Sequence, residues 1–504
     1  MGALSPEVAS PLVNGLNNIP RTGKGALRCR QPARPPTGQY QRSSTSTAQA
    51  PKSLGRNVSE IQKGSHGRSP STIAHSSAAG SFDAIPDKFV SEPSTKSADT
   101  ETGEAVGNAT FTQAVLNVIN IVTGVGLLSV PFALKRAGWA GLGILWVLGF
   151  IMNYTGKILG ECHEVVSERM QREGKGGAVI GYEDIGAEAF GGLGRAVVSA
   201  SMYIELLGTC ALLFILEGDN LFQLLGPRYA PDAATYMLLA ALVMIPTVWL
   251  PDLKALSGLG VVGVAATLTV TAAIAYTLIS GSFPPGAATS AANWASMPAV
   301  FGILAFVYSG HGVFPSVRAS MKEPKKYPKV LNVAYLVVGG LCTFIGATGY
   351  YMYGNAARDL VTFNLPAGLL ATLCASVILV NPIAKLAITM DPVGVAANTW
   401  AAGAIQGVPA GVRRFVVRTL LACGCLAAAR FVPFLAFFMS LIGSFLTIAV
   451  SVILPVSVHL KIFQGKLSKQ RLVWNWLVIA IGVVVALSGT SASVKALLAS
   501  TSAA

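Results

Sequence analysis

Glu205 stands midway along an apolar stretch, Ile204-Glu205-Leu206-Leu207-Gly208-Thr209-Cys210, where a carboxyl has little solvent. At the centre of a hydrocarbon layer an ionisable side chain costs roughly 2.5 to 3.5 kcal/mol even on insertion scales, so it is expected to serve a purpose there. Two purposes stay open: proton loading and release by a buried carboxyl, or a hydrogen-bond anchor for irregular backbone or a cation. Thr209 lies one helical turn further on the same face. His311, in Tyr308-Ser309-Gly310-His311-Gly312-Val313-Phe314-Pro315, is a lone histidine of the kind more often structural than functional, but on unwound chain it can titrate or touch a ligand. Lys385, in Asn381-Pro382-Ile383-Ala384-Lys385, needs a partner or water. Its long stem predicts an ammonium that snorkels toward Asp391. Glu217, Asp219 and Asn220 close their apolar stretch and are expected to face water.

Enzymatic chemistry is not indicated. His311 lacks an evident nucleophile or acid partner, and Cys423-Gly424-Cys425 lacks the His or carboxylate company of a metal site. Gly258-Leu259-Gly260-Val261-Val262-Gly263 matches a dinucleotide fingerprint by letters, but no strand-helix unit surrounds it and no acidic residue stands between Asp252 and Glu323. Its glycines read as close helix packing. No catalytic residue, metal or cofactor is therefore expected.

The elements that must position these groups are membrane helices. Of 504 residues, 52% are hydrophobic and only 12% charged, with a mean hydropathy of +0.57. That is far too apolar for a soluble enzyme of this size. Apolar stretches of spanning length begin near residues 111, 139, 193, 234, 256, 297, 330, 367, 412, 432 and 471, which predicts eleven transmembrane helices in an all-α polytopic membrane protein. The narrowest divisions between spans are at Pro251-Asp252-Leu253-Lys254 and Arg430-Phe431-Val432-Pro433.

The first and sixth of these helices are expected to be discontinuous. Gly124-Val125-Gly126 is followed by Pro131, and Gly310-His311-Gly312 by Pro315, with the same five-residue offset in both and 184 positions between them. Irregular backbone at membrane depth is tolerated only where it is buried in protein or lines a polar cavity. Interrupted spans at matching places in two halves of a membrane protein point to a binding site between them. The half-helix starting near Leu127 turns its positive end toward an anion. Asn120, Thr123 and the backbone of Gly124, Val125 and Gly126 would therefore meet a small zwitterion from one side, and Tyr308, Ser309, Gly310 and His311 from the other.

Charge follows compartments. Residues 1–81 carry ten Lys and Arg against Glu7 and Glu60, +8 of the net +14. The segment is Ser-, Pro- and Gly-rich, and residues 1–105 are expected to be a disordered cytosolic tail before a transmembrane domain over 106–495 and a short tail over 496–504. An organelle transit peptide is the alternative for this basic, acid-poor segment; the return of acidic residues from Asp83 favours the tail. With the tail cytosolic, the basic residues from Arg169 to Lys175, Lys254, Arg318 to Lys329, Arg413 to Arg418 and Lys461 to Arg471 fall on the cytosolic side. Few fall opposite: Lys135, Arg136, Arg228, Arg358 and Arg430. The C-terminus then lies on the far side of the membrane. The basicity suits an anionic bilayer and requires no nucleic acid. The seven cysteines imply no disulfide framework.

Taken together, Asn120-Ile121-Val122-Thr123-Gly124-Val125-Gly126-Leu127-Leu128-Ser129-Val130-Pro131, Tyr154-Thr155-Gly156-Lys157, Ile204-Glu205-Leu206 and Asp252-Leu253-Lys254-Ala255-Leu256-Ser257 resemble the amino acid/auxin permease superfamily. The resemblance extends to Tyr308 through Pro315 and to Asn381-Pro382 with Lys385, and covers about residues 110–490. Within the superfamily the chain resembles the vacuolar amino-acid transporters and the vesicular inhibitory amino-acid transporter. The resemblance implies eleven spans in a five-plus-five inverted repeat plus a final helix. It also implies neutral amino-acid transport into an acidic vacuole or vesicle by proton exchange, with first-break residues on the substrate backbone. Sodium-coupled relatives use a position like Asn120, so the coupling ion stays open. A proton- or sodium-coupled symporter at the plasma membrane and an amino-acid sensor are the alternatives.

Overall fold

The computed structural model describes residues 107–174, 180–250, 259–405, 407–431 and 435–501. The expected tail over 1–105, Lys175, the Pro251 to Lys254 junction, Gly258 and Val432-Pro433 lie outside the described residues. Within them the regular structure is helical but for one isolated bridge, Ala109 to Met321, with turns and loops between the helices. Eight helical stretches are long and apolar enough to cross a bilayer, with Phe111–Val122 and Ala233–Thr247 as shorter apolar helices beside them.

Helix α1 (Phe111–Val122) starts at a capping box, an arrangement in which cap and third residue each satisfy an amide of the other. Thr110 Oγ1 accepts from the Gln113 amide at 3.3 Å, and Gln113 Oε1 accepts from the Thr110 amide at 2.9 Å. The chain leaves helical geometry at Thr123 and Gly124, both extended, and resumes as α2 (Val125–Leu128) and α3 (Val130–Ala137), with Pro131 in the first turn. Next come α4 (Ala140–Arg172), α5 (Tyr182–Leu225), α6 (Ala233–Thr247) and α7 (Leu259–Ser280). Gly191, at φ 63°, turns the chain inside α5. Glycine adopts this left-handed conformation without steric cost.

The second broken rod is α8 (Met297–Val307), a 3₁₀ turn over His311–Val313 and α9 (Phe314–Ser320), with Pro315 in the first turn. Then follow α10 (Tyr327–Tyr353), α11 (Leu369–Ala404), α12 (Ala410–Phe431), α13 (Leu435–Ile442), α14 (Leu454–Ile462) and α15 (Lys469–Thr501). Between α13 and α14 two π-helical stretches, Gly443–Thr447 and Ala449–Ile453, widen the turn, a feature that recurs at functional sites.

The two broken rods run antiparallel and are tied at both ends. At one end the Ala109 amide donates to Ser320 O and the Lys322 amide to Ala109 O, each at 2.9 Å. At the other, the Trp139 amide donates to Ser290 O at 3.0 Å and the Asn293 amide to Ala137 O at 2.9 Å. At mid-length the rods touch. A Cβ on Gly126 would lie 2.9 Å from Val307 Cα, and one on Gly310 would lie 3.0 Å from Ile121 Cγ2, so each break packs against the other rod. Gly263, from the fingerprint-like string, packs where Asn120 and Asn381 meet it: their Oδ1 atoms are 3.1 and 3.2 Å from its missing Cβ.

Three readings of the sequence are corrected here. Glu217 and Asn220 do not face water, being 3% and 0% exposed, because α5 continues to Leu225 and α6 and α11 pack along it. Lys385 does not reach toward Asp391, which is paired with Arg418. Arg318 and Arg418 are buried rather than solvated in basic loops: Arg318 reaches His163 Nδ1 at 2.9 Å and Glu164 at 3.3 Å, and Arg418 donates to Val248 O at 3.0 Å.

Candidate functional site

At the first break the backbone is held from within. Thr123 Oγ1 and its amide both donate to Ile119 O, at 2.5 and 2.6 Å, closing α1. The first amides of a helix lack intrahelical acceptors, so those of Val125 and Gly126 begin α2 with that end's positive dipole. Thr123 and Gly124 line a pocket of about 490 Å³, open solvent included, together with Thr267 on α7 and Asn381 and Lys385 on α11. Its apolar walls include Leu213 and Leu216 on α5.

Lys385 is the pocket's charge. Its Nζ lies 3.1 Å from where a Cβ on Gly124 would stand, and it has no ion pair among the described residues. Lys385 and Asn381 are one turn apart and so share a face of α11. That spacing was the available signal that Lys385 points at the break rather than along the helix toward Asp391.

The second break is built differently. His311 is fully buried, with Nε2 3.0 Å from Thr155 Oγ1 and 3.1 Å from Met152 O, and its ring lies 4.7 Å from that of Phe314. Tyr308 is also fully buried, stacked on Tyr335 at 5.5 Å. Ser309 turns to Glu205, donating to Oε1 at 2.8 Å, while Thr447 from the π-helical stretch donates to the same oxygen at 2.7 Å. Glu205 is 6% exposed, and through these bonds it joins α5 to the second break and to the α13–α14 rod. Thr209 does not assist it, since its hydroxyl donates to Glu205 O on its own helix at 2.9 Å.

The residues expected around one ligand therefore divide. Thr123 and Gly124 line the pocket; Gly126 packs on Val307; Asn120 faces Gly263. Tyr308, Ser309, Gly310 and His311 are not among the residues that line the pocket. Thr447 was not legible, because an isolated threonine in an apolar run carries no positional signal.

A wider vestibule of about 900 Å³, open solvent included, lies at the end of the bundle where α3 and α5 finish, lined by Lys135, Asp219, Gln223, Arg358 and Asp359 among others. Lys135 Nζ donates to Ala357 O at 2.9 Å, and Arg358 to Gln223 Oε1 at 3.1 Å. Burial pushes the Asp359 carboxyl above the usual range for aspartate.

Comparison with known proteins bears on this geometry. A family model described as transmembrane amino acid transporter protein matches residues 107–495. Amino acid transporter AVT1C of Arabidopsis thaliana is 34% identical over 395 residues, 76% of this chain and 69% of its own. Amino acid transporter AVT1J of the same plant is 33% identical over 414 residues, 77% of this chain and 92% of its own. Among solved structures, Mhp1, a nucleobase-cation-symport-1 family transporter in a closed conformation with bromovinylhydantoin bound, aligns at a TM-score of 0.50 and 11% identity, covering 77% of this chain and 91% of that one, a likeness of fold alone.

Proposed function

The chain belongs to the transmembrane amino acid transporter protein family, and from that premise we propose that it is a secondary active, proton-coupled transporter of neutral amino acids, exchanging them for protons across the membrane of an acidic vacuole or vesicle. The observation that carries this reading is the pocket at the first break, where the Lys385 ammonium stands against the extended backbone of Gly124, with Thr123, Thr267 and Asn381 beside it and apolar side chains around them. An ammonium favours an anion, so the substrate carboxylate docks there. The substrate ammonium finds Thr123, Thr267 and Asn381 oxygens, and Leu213 and Leu216 present an apolar wall suited to an uncharged side chain.

In this reading the helices form eleven spans, with the rods α1–α3 and α8–α9 as the discontinuous first and sixth of a five-plus-five inverted repeat, the N-terminus cytosolic and the C-terminus lumenal. Glu205 is the coupling residue. Its carboxylate accepts two hydroxyl hydrogen bonds, and protonation would weaken both and loosen the second break from α5. A pH difference of two units supports about a hundredfold accumulation of a neutral solute per proton exchanged. The test is counterflow of labelled neutral amino acids in liposomes holding only purified protein, at two lumenal pH values. Exchange at equal pH together with accumulation into an acidic lumen supports the reading; no flux of any amino acid rejects it.

A further inference from the structure

Two buried polar side chains on α5 have no task in the mechanism above. Glu217 is 3% exposed and Asn220 is 0% exposed, and Glu217 Oε2 and both amide atoms of Asn220 have no hydrogen-bond partner among the described residues. They lie three residues apart, on adjoining positions of one helix face. Their place along the helix is specific. Asp219, Phe222 and Gln223 line the vestibule, Leu213 and Leu216 line the pocket, and Glu217 and Asn220 fall between and among these positions.

Resting on the transport reading, we propose that Glu217, with Asn220, is a proton relay between the lumenal vestibule and the interior site. A carboxylate without hydrogen bonds or a counter-ion is costly in an apolar surround, and among the described residues no cation pairs with this one. On α6 the titratable group is Tyr236, whose hydroxyl donates to Gly226 O. On α11, Lys385 stands at the first break and Asp391 pairs with Arg418 of α12. Arg413 of α12 binds Asn398, Cys425 of the same helix donates to Leu207 O, and Arg414, Cys423 and Arg430 make no ion pair with Glu217. On α4 and α14, Glu161 faces His459, and α13 carries no ionisable residue. From the vestibule come Asp219 itself, Asp359, Arg358 and Lys135, whose ammonium donates to Ala357 O.

The Asn220 amide can accept from the acid or donate to the carboxylate, so it suits a group that alternates between the two. Glu205 is twelve residues further back on the same helix, about 18 Å by helical rise, a span that water must bridge. Orphaned buried polar atoms are the usual partners of such water. The proton is taken from vestibule water by the Glu217 carboxylate and handed on through water toward Glu205.

The test uses full-length protein in liposomes with a lumen two pH units more acidic than outside, and radiolabelled L-alanine as the probe, or whichever neutral amino acid gives the greatest counterflow. For Glu217→Gln the initial rate of gradient-driven accumulation is expected to fall at least fivefold, with counterflow at equal pH unchanged. Glu217→Asp, which keeps the carboxyl, is expected to stay within fivefold of the wild type. A fall of less than fivefold in Glu217→Gln, an equal loss of counterflow, or an equal loss in Glu217→Asp overturns the relay. Absence of counterflow in the wild-type protein instead rejects amino-acid transport itself.

Discussion

Ser309 and Thr447 hydroxyls converge on one oxygen of Glu205, so the protonation state of that carboxyl is felt by the second break and by the α13–α14 rod together. Glu205→Gln retains an oxygen that accepts both bonds but cannot take up a proton as the carboxylate can. Accumulation driven by a two-unit pH gradient is expected to fall from about a hundredfold to about onefold, while counterflow at equal pH persists; retained accumulation removes Glu205 from coupling. Lys385→Met keeps the stem and deletes the ammonium at the pocket. Hydrogen bonds to charged groups contribute about 1.5 to 3 kcal/mol, so half-saturation for counterflow is expected to rise roughly tenfold to a hundredfold, and unchanged half-saturation sets Lys385 aside as a carboxylate contact. The depth of Glu205 in its apolar run was legible in the sequence. Its partners were not, because they lie 104 and 242 positions away and only the fold brings them together.

At the scale of elements, the rods could touch only because glycine stands at the contact. A Cβ on Gly126 would come within 2.9 Å of Val307 Cα, a backbone atom that cannot swing aside. Gly126→Val is therefore expected to force the breaks apart and to abolish substrate-induced thermal stabilisation; a normal thermal shift would mean that the rods are free to separate. A second approach joins α8 to the α13–α14 rod, where a Cβ on Gly443 would collide with Gly302 O. Overpacking of this kind costs about 1 to 3 kcal/mol, so Gly443→Leu is expected to lower the melting temperature in detergent measurably, and an unchanged melting temperature would show that the contact relaxes freely. Both breaks were readable from Gly and Pro, since those residues change what the backbone can do. The far end of α5 was misread because Glu217, Asp219 and Asn220 look like a helix terminus by composition, whereas α6 and α11 cover that face. Nor does a one-letter string distinguish a π-helical turn from an α-helical one.

Across the whole molecule, ties at both ends hold the broken pair as one unit. The bridge of Ala109 to Met321 and the capping box at Thr110 use nothing before Gly107, and the match to the transporter family also starts at residue 107. Opposite them, Trp139 and Asn293 close the other end, and Arg471 grips Glu161 at 2.7 Å to hold α15 against α4. Among the described residues, the pocket, the second break and the vestibule are built from positions within 107–501. Deletion of residues 1–100 is expected to leave gradient-driven uptake by purified protein within about twofold of full length, because it leaves the pocket and Glu205 intact and removes only basic, Ser-rich chain. The measurement is uptake in liposomes of equal protein content. A loss of flux in protein that keeps its substrate-induced thermal shift would assign the tail a part in transport, and the sensor reading would then gain over the carrier.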